Sequence, residues 1–402
     1  MLRLLNLYLR VFANIQSNIW ILSIAMFINR SGSMVLLFTS LYLTKELHFT
    51  IAEAGVALSF YGVGSVLGAY TGGWLTDRKN FFDIMIFSLI SSGLILLLLL
   101  IAETPFQISF VIFLYAFTAD IFRPANSKAI AVYSTPSNRT RSVSLVRLAV
   151  NLGFSIGPAA GGFVALYLGY KWLFVIDSCT SFAAAIMLFL YLPRTNNAPK
   201  STESDMLINN NRSAYRDKKY LFFIFLVALY GISFFQLFAS VPQYFNKECH
   251  YHEGTIGLLL ALNGLLVVII EMPFIAFLEK KQKIFPFIIS GTLCIPFALG
   301  MFVLGNGLMV FSILYTVIIT FSEIFAMPFM MNYALSRPGK ERQGQYSALY
   351  SISFGLANIV APLLGLGIAS KYGFNTMFCF FIILSFFTAI GFMVLGKIDN
   401  RK

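Results

Sequence analysis

Charge is scarce in this chain of 402 residues: only 11% are Asp, Glu, Lys or Arg, where a soluble domain carries about 25%. That scarcity excludes a water-soluble globule, because 58% hydrophobic residues, 43 Phe and 19 Tyr cannot be hidden behind so thin a polar layer. Cysteine is equally sparse. Of the four, Cys179, Cys294 and Cys379 fall inside apolar runs and only Cys249 lies near a loop, so neither a disulfide framework nor a metal-ligand spacing exists. The three histidines, His48, His250 and His252, stand at loop ends, and no phosphate-cradling Gly-Lys-Ser/Thr pattern occurs. An ATP-driven pump and a conventional enzyme are therefore excluded within this chain, and no cofactor or metal is expected. What is present is apolar length: a mean hydropathy of +0.78 requires an apolar solvent, and a membrane span needs about 20 such residues.

Twelve apolar runs emerge, at Trp20 to Leu43, Ala52 to Thr76, Ile84 to Ala102, Phe106 to Ala131, Ser142 to Leu168, Trp172 to Leu192, Leu221 to Phe245, Thr255 to Leu278, Ile284 to Leu304, Leu308 to Leu335, Tyr346 to Ser370 and Thr376 to Leu395. The formal charge of +12 first suggests an acidic partner such as nucleic acid. Its distribution removes that motive. If the N-terminus is cytoplasmic, the segments on that side hold twenty-one Lys and Arg and those on the other side four, Lys45, Lys171, Lys247 and Lys371. This is the positive-inside asymmetry, so both termini are expected in the cytoplasm and no nucleic-acid partner is expected. The first run carries Arg30 and has no small-residue cleavage pattern, so it reads as a span rather than a signal peptide.

The chain repeats itself. At an offset of 202, Tyr42, Lys45, Glu46 and His48 match Tyr244, Lys247, Glu248 and His250, and Asp77, Arg78 and Lys79 meet Glu279, Lys280 and Lys281. At an offset of 204, Phe117, Pro124, Pro158, Gly161, Gly169 and Phe174 match Phe321, Pro328, Pro362, Gly365, Gly373 and Phe378. Six spans have been duplicated in the same orientation, the parallel-repeat plan of two-halved transporters. The expected division is an N-terminal six-helix half at 1–192, a cytoplasmic linker at 193–219 rich in Asn, Ser and charge, and a C-terminal six-helix half at 220–402.

Two motifs narrow the class. The second run ends Gly72-Gly73-Trp74-Leu75-Thr76-Asp77-Arg78-Lys79, and the fifth carries Asn151-Leu152-Gly153-Phe154-Ser155-Ile156-Gly157-Pro158-Ala159-Ala160-Gly161-Gly162. The first resembles the signature between spans two and three of the major facilitator superfamily. The second is similar to the antiporter motif of that family's bacterial twelve-span drug/proton exchangers. The resemblance implies an all-α membrane protein of twelve transmembrane helices in two six-helix halves around a central cavity. It also implies a carrier of small molecules in a bacterial inner membrane, proton-coupled, working as a monomer among membrane lipids. Gating roles are expected for Gly73, which would let helices approach closely, for Asp77 at a neighbouring helix N-terminus, and for Arg78 toward carboxylates or lipid phosphates. Gly153, Gly157 and Gly161 recur every fourth residue as a smooth sliding face, with Pro158 permitting a bend.

Buried charges mark the solute path, since each is costly in hydrocarbon. Six stand out within spans: Arg30, Asp120, Arg123, Arg147, Glu271 and Glu323. None repeats; Ile232, Ile324, Met327, Ser351, Ala69 and Ala119 occupy the corresponding positions. Asp120 and Arg123, three residues apart, can simply neutralise one another. Arg147 and Glu271 suit a gate. Glu323 and Arg30, as a shared mid-membrane pair, suit a proton or a solute charge, with Glu323 the expected proton carrier and Asp120 the alternative. Two directions stay open: proton-coupled efflux of a small organic solute, and import of an anionic metabolite, peptide or siderophore-like compound. A channel or receptor is the alternative of another class, and the six-plus-six repeat argues against it.

Overall fold

In the computed structural model, the described residues are 15–135, 139–195, 213–278, 284–305, 307–337 and 343–399. Most of the expected linker, the Glu279-Lys280-Lys281 repeat and the side chain of Asp77 lie outside them. Twelve helical segments among the described residues are long and apolar enough to cross a membrane: Ser17–Lys45, Ile51–Thr76, Phe81–Leu100, Pro105–Tyr133, Arg141–Tyr167, Lys171–Tyr191, Lys218–Lys247, Glu253–Glu271, Phe285–Gly305, Met309–Ala334, Gln345–Tyr372 and Phe374–Asp399. They are called spans 1 to 12 below, and they coincide with the apolar runs of the sequence. Large side chains face outward as an apolar solvent demands; Phe106 is 80% exposed and Ile101 76%.

Local chemistry fixes several ends. Thr50 and Glu53 form a capping box at the start of span 2, as do Thr104 and Gln107 ahead of Pro105 in span 4. Asn80 accepts the Phe82 N–H at the start of span 3.

Three spans are interrupted. Span 1 consists of Ser17–Gly32 and Val35–Lys45, span 4 of Pro105–Asp120 and Phe122–Tyr133, and span 7 of Lys218–Phe234, Gln236–Ala239 and Val241–Lys247. The span 4 interruption lies at Ile121, just ahead of Pro124, whose ring disfavours a continuous helix. The span 7 break is satisfied internally: Gln236 Nε2 donates to the carbonyls of Ile232 and Ala361, and Ser240 donates to Gln236 Oε1 at 2.5 Å. The duplication is also visible in the backbone. His48 and His250 share a left-handed φ of 55°, and Gly169 and Gly373 sit at 92° and 85°, a conformation glycine adopts without strain.

Spans 5 and 8, and spans 2 and 11, form the seams between the first six spans and the last six. Glycine makes both close. A Cβ on Gly264 would lie 2.8 Å from Ser155 Cα, and one on Gly62 would lie 2.7 Å from the Ile359 nitrogen. At the end of the bundle carrying His48 and His250, side chains seal the two sets together. Lys45 Nζ reaches Glu253 at 2.5 Å, the Tyr170 hydroxyl donates to the same carboxylate at 2.6 Å, and Gln243 Nε2 donates to the Ser40 carbonyl and the Thr44 hydroxyl. Burial and the bond to Glu253 push the Tyr170 hydroxyl well above its ordinary range, so it remains a donor.

The opposite end bears Arg78, Arg194 and Arg337. There Arg337 bridges Asp217 at 2.7 Å and Asp399 at 3.2 Å, tying the start of span 7 to the ends of spans 10 and 12. Burial opposes ionisation of Asp217, but the Arg337 hydrogen bonds and the Tyr220 N–H outweigh it and hold the carboxyl below its usual range.

Candidate functional site

Toward this second end, a cavity of about 290 Å3 opens between the two sets of spans. Span 5 lines it with Arg147 and Asn151, span 8 with Glu271, span 10 with Glu323, Met327 and Met331, and span 11 with Tyr350 and Phe354. Arg147 and Glu271 meet across the seam between spans 5 and 8 at 2.5 Å. The gate partnership expected from sequence is therefore an actual contact, with Glu271 buried and Arg147 half-exposed to the cavity. A charge-assisted bond of this kind carries more energy than a neutral one, and either partner left alone at this depth is costly.

Glu323 stands on the cavity wall. Asn263 Nδ2 donates to its Oε2 at 3.3 Å and to Thr320 at 3.0 Å, and no ion pair holds Glu323 among the described residues. Its charged neighbours are Arg147 and Glu271. The expected pairing with Arg30 is not what the fold provides. Arg30 lies in the first half, with its guanidinium 5.5 Å over the Phe154 ring, on the Ser17–Gly32 helix that packs against spans 5 and 6.

Asp120 and Arg123 neutralise one another, Nε to Oδ1 at 2.6 Å, and Ser65 of span 2 donates to the same carboxylate. Asp120 is buried and Arg123 is 60% exposed.

The motif residues divide. A Cβ on Gly153 would lie 2.7 Å from Arg30 Cβ, one on Gly157 3.3 Å from the carbonyls of Arg30 and Ser31, and one on Gly161 2.6 Å from Met34 Cβ. This glycine face thus packs on span 1 of its own half. The face of span 5 turned to span 8 is formed instead by Ser155, the Pro158 carbonyl and Gly162, against Gly264 and Gly257. Gly73 requires a correction. Nothing lies within 4 Å of where its Cβ would be, and the close approach belongs to Gly72, whose Cβ would meet Ile121 Cα at 2.8 Å. Arg78 stacks 4.0 Å over the Trp74 ring, with no carboxylate bridging it among the described side chains.

Two features escaped the sequence reading. Lys45, counted only in the repeat and among the charges of the non-cytoplasmic segments, and Glu253, not singled out at all, close one end of the bundle. Asp177 of span 6 is a further intramembrane charge, only 1% exposed, with its Oδ2 lacking a hydrogen-bond partner among the described residues. The signal was available: the repeat sets Asp177 against Phe381, the same lack of duplication that singled out the other six.

Twelve spans, interrupted helices and a charged cavity between two sets of six define a solute carrier. A family model described as the Major Facilitator Superfamily matches residues 20–362, and the chain belongs to that family. It is 23% identical over 401 residues to a Na(+), Li(+), K(+)/H(+) antiporter of Planococcus maritimus, covering 92% of each chain. It is also 23% identical over 328 residues to the quinolone resistance protein NorA of Staphylococcus aureus, covering 80% of this chain and 81% of that one. Among solved structures, a POT family transporter in complex with 5-aminolevulinic acid superposes with a TM-score of 0.81 at 14% identity, over 96% of this chain and 97% of that one. The nucleoside transporter NupG superposes with a TM-score of 0.76 at 13% identity, over 95% of this chain and 100% of that one. The protein is accordingly a multi-pass membrane transporter of small solutes, not an enzyme.

Proposed function

We propose that this transporter exports a small organic solute in exchange for protons by alternating access, with Glu323 carrying the coupling proton and the Arg147–Glu271 pair acting as the gate between spans 5 and 8. The observation that carries this reading is the placement of a carboxylate without a cation partner, Glu323, on the same cavity wall as a cross-seam ion pair. Ionised, such a group is expensive in a closed site, while protonated it is cheap, so proton and solute can exchange places as access alternates. Efflux is favoured by the names of relatives that align over most of the chain, an antiporter and a quinolone resistance protein.

On this reading the end bearing Arg78, Arg194 and Arg337 is cytoplasmic, both termini are cytoplasmic, and the structure is the inward-open state of a monomer in a bacterial inner membrane. The two halves, 1–192 and 220–402, rock about the cavity while the linker at 193–219 joins them. Import of an anionic solute is the second reading, favoured by the exposed cavity face of Arg147.

Proteoliposomes with an imposed pH gradient and a panel of candidate solutes test the proposal. Gradient-driven flux should be lost in Glu323→Gln while gradient-independent counterflow survives. Full pH-driven transport by Glu323→Gln, with loss in Asp120→Asn, would move the coupling acid to the first half. Inward flux of an anionic solute would overturn the direction.

A further inference from the structure

Span 1 stops at Gly32, turns through Ser33 at φ −69° and ψ 62°, and restarts as an eleven-residue helix at Val35. The first N–H groups of that helix have no partners within it and make a positive end. Span 6 supplies the group that faces them. Asn29 donates to Ser181 at 3.1 Å and Gly32 lies against Thr180, contacts that dock span 6 on the break and bring the Asp177 carboxylate to the Val35 N–H. Asp177 is 1% exposed, and its Oδ2 has no hydrogen-bond partner among the described residues.

The nearest cation is Arg30, one turn before the break. Its guanidinium forms no ion pair within 4.0 Å with any described carboxylate and stands over Phe154 instead. The other titratable groups turned toward Asp177 are the hydroxyls of Tyr61 on span 2 and Tyr115 on span 4, with the self-paired Asp120 and Arg123 beyond Tyr61. Span 3 contributes the Gly93 carbonyl, which Ser178 already bonds at 2.9 Å.

We propose that Asp177 and Arg30, at the break in span 1, form a proton-binding site separate from the Glu323 cavity, in which a proton on Asp177 sets Arg30 free to point toward the interior space. A buried carboxylate with a bare oxygen has two affordable arrangements. Either it is ionised and Arg30 swings in to pair with it, or it takes a proton from water and Arg30 swings out. The structure has Arg30 out.

Span 5 packs directly on this stretch of span 1: a Cβ on Gly153 would lie 2.7 Å from Arg30 Cβ and 3.0 Å from the Arg30 carbonyl carbon. The same stretch of span 1 rests on Gly157 and Gly161, while the neighbouring face of span 5 forms the seam with span 8, so span 5 links the Arg30 segment to the seam between halves. The proton is favoured over a metal ion. A hard cation needs about six oxygen ligands, and the Arg30 guanidinium stands nearby to repel it.

The inference draws its transport role from the proton coupling proposed above, but proton binding itself is measurable without a solute. Infrared difference spectra of the purified full-length protein, recorded while pH is varied, should contain a titrating carboxylic-acid band that is absent in Asp177→Asn and present in Glu323→Gln. Arg30→Gln keeps Asp177 and should displace the midpoint of that band by about one pH unit or more. If Asp177→Asn fails to fold, the Arg30→Gln displacement decides alone. A spectrum unchanged in Asp177→Asn, or a midpoint unmoved in Arg30→Gln, overturns the site. So does a band that responds to sodium at fixed pH, which would make the site one for a metal ion. Flux without pH dependence alongside a band that titrates as expected would sink the coupling proposal and leave the Asp177 site standing.

Discussion

Spans 2 and 4 in the first half and spans 8 and 10 in the second are the same helix pair by duplication, yet they are packed in opposite ways. On span 2, Gly64, Gly68 and Gly72 recur every fourth residue and meet the backbone of Phe113, Phe117 and Ile121 on span 4. The corresponding residues of span 8 are Leu266, Ile270 and Phe274. Phe274 stacks at 4.8 Å on Phe325, the counterpart of Ile121. One contact is thus made by backbone in the first half and by rings in the second. Small residues draw helices together and rings keep their axes apart. The pair with the rings is the one whose walls carry Glu271 and Glu323 into the cavity. The duplicated pairing is kept while side-chain size along it differs, and the ring-packed copy is the one that contributes to the cavity wall.

The strongest test of this contrast places bulk in the glycine seam. In Gly68→Leu the new side chain must displace the Phe117 backbone, which cannot rotate away as a flexible side chain would. Overpacking of this kind costs about 1–3 kcal/mol, and the upper end is expected here. Ile270→Leu, the conservative change at the counterpart position, should cost less than about 1.5 kcal/mol. Thermal unfolding in detergent measures both. Equal melting temperatures for Gly68→Leu and the parent would show that the first-half seam is not backbone against backbone, and the comparison would collapse.

The twelve spans and the duplication were legible because both are written in long periodic signals, apolar length and a register of about 200 residues. Arg147 and Glu271 were legible as candidate functional charges because mid-span charges have few structural excuses. Their meeting at 2.5 Å was not, since it depends on which faces spans 5 and 8 turn to one another. The Arg30–Glu323 pairing is not present because the Arg30 helix packs on spans 5 and 6, and a hydropathy pattern does not report which face an apolar helix turns to which neighbour. Asp177 lies six residues into its span, where an acid passes as an interfacial residue, and only the comparison with Phe381 exposes it.

A second contrast lies at the end bearing Arg337. In the second half this corner is ionic, Asp217 with Arg337 and Asp399, whereas in the first the residue corresponding to Arg337 is Tyr133, whose hydroxyl donates to the Pro193 carbonyl at 2.5 Å. Asp217 has a folded-state pKa below its unfolded one, which for an aspartate is about 3.9. Its stabilisation is therefore complete above that value and is lost as pH falls through it toward the folded pKa. Asp217→Asn should cost about 1–2 kcal/mol at neutral pH, the range for hydrogen bonds to charged groups in a partly exposed site. The difference from the parent should shrink toward zero in acid, while Tyr133→Phe should show a deficit independent of pH over the same range. Melting temperatures measured against pH check both, and a constant Asp217→Asn deficit down to strongly acidic pH would mean that the corner is not held by charge.

The smallest effect expected concerns Gly73 and sharpens the first contrast at the end of the same helix. The second-half counterparts of Gly72 and Gly73 are Phe274 and Ile275, so bulk is accepted at both places there. In the first half the structure separates them. A Cβ on Gly72 falls 2.7 Å from the Ile121 carbonyl and 2.8 Å from its Cα, while a Cβ on Gly73 meets nothing within 4 Å. Alanine is favoured over glycine inside a helix by about 0.5–1 kcal/mol, because glycine loses more backbone freedom on folding. Gly73→Ala should therefore be neutral or stabilising by up to about 1 kcal/mol, with transport retained. Gly72→Ala must push span 4 at its own interruption, and the strain should outweigh the helix gain. Melting temperature and flux measured side by side on the two variants decide the matter. A destabilised Gly73→Ala would restore the close approach that its motif suggests, and would place the critical glycine one position further along the helix than its contacts indicate.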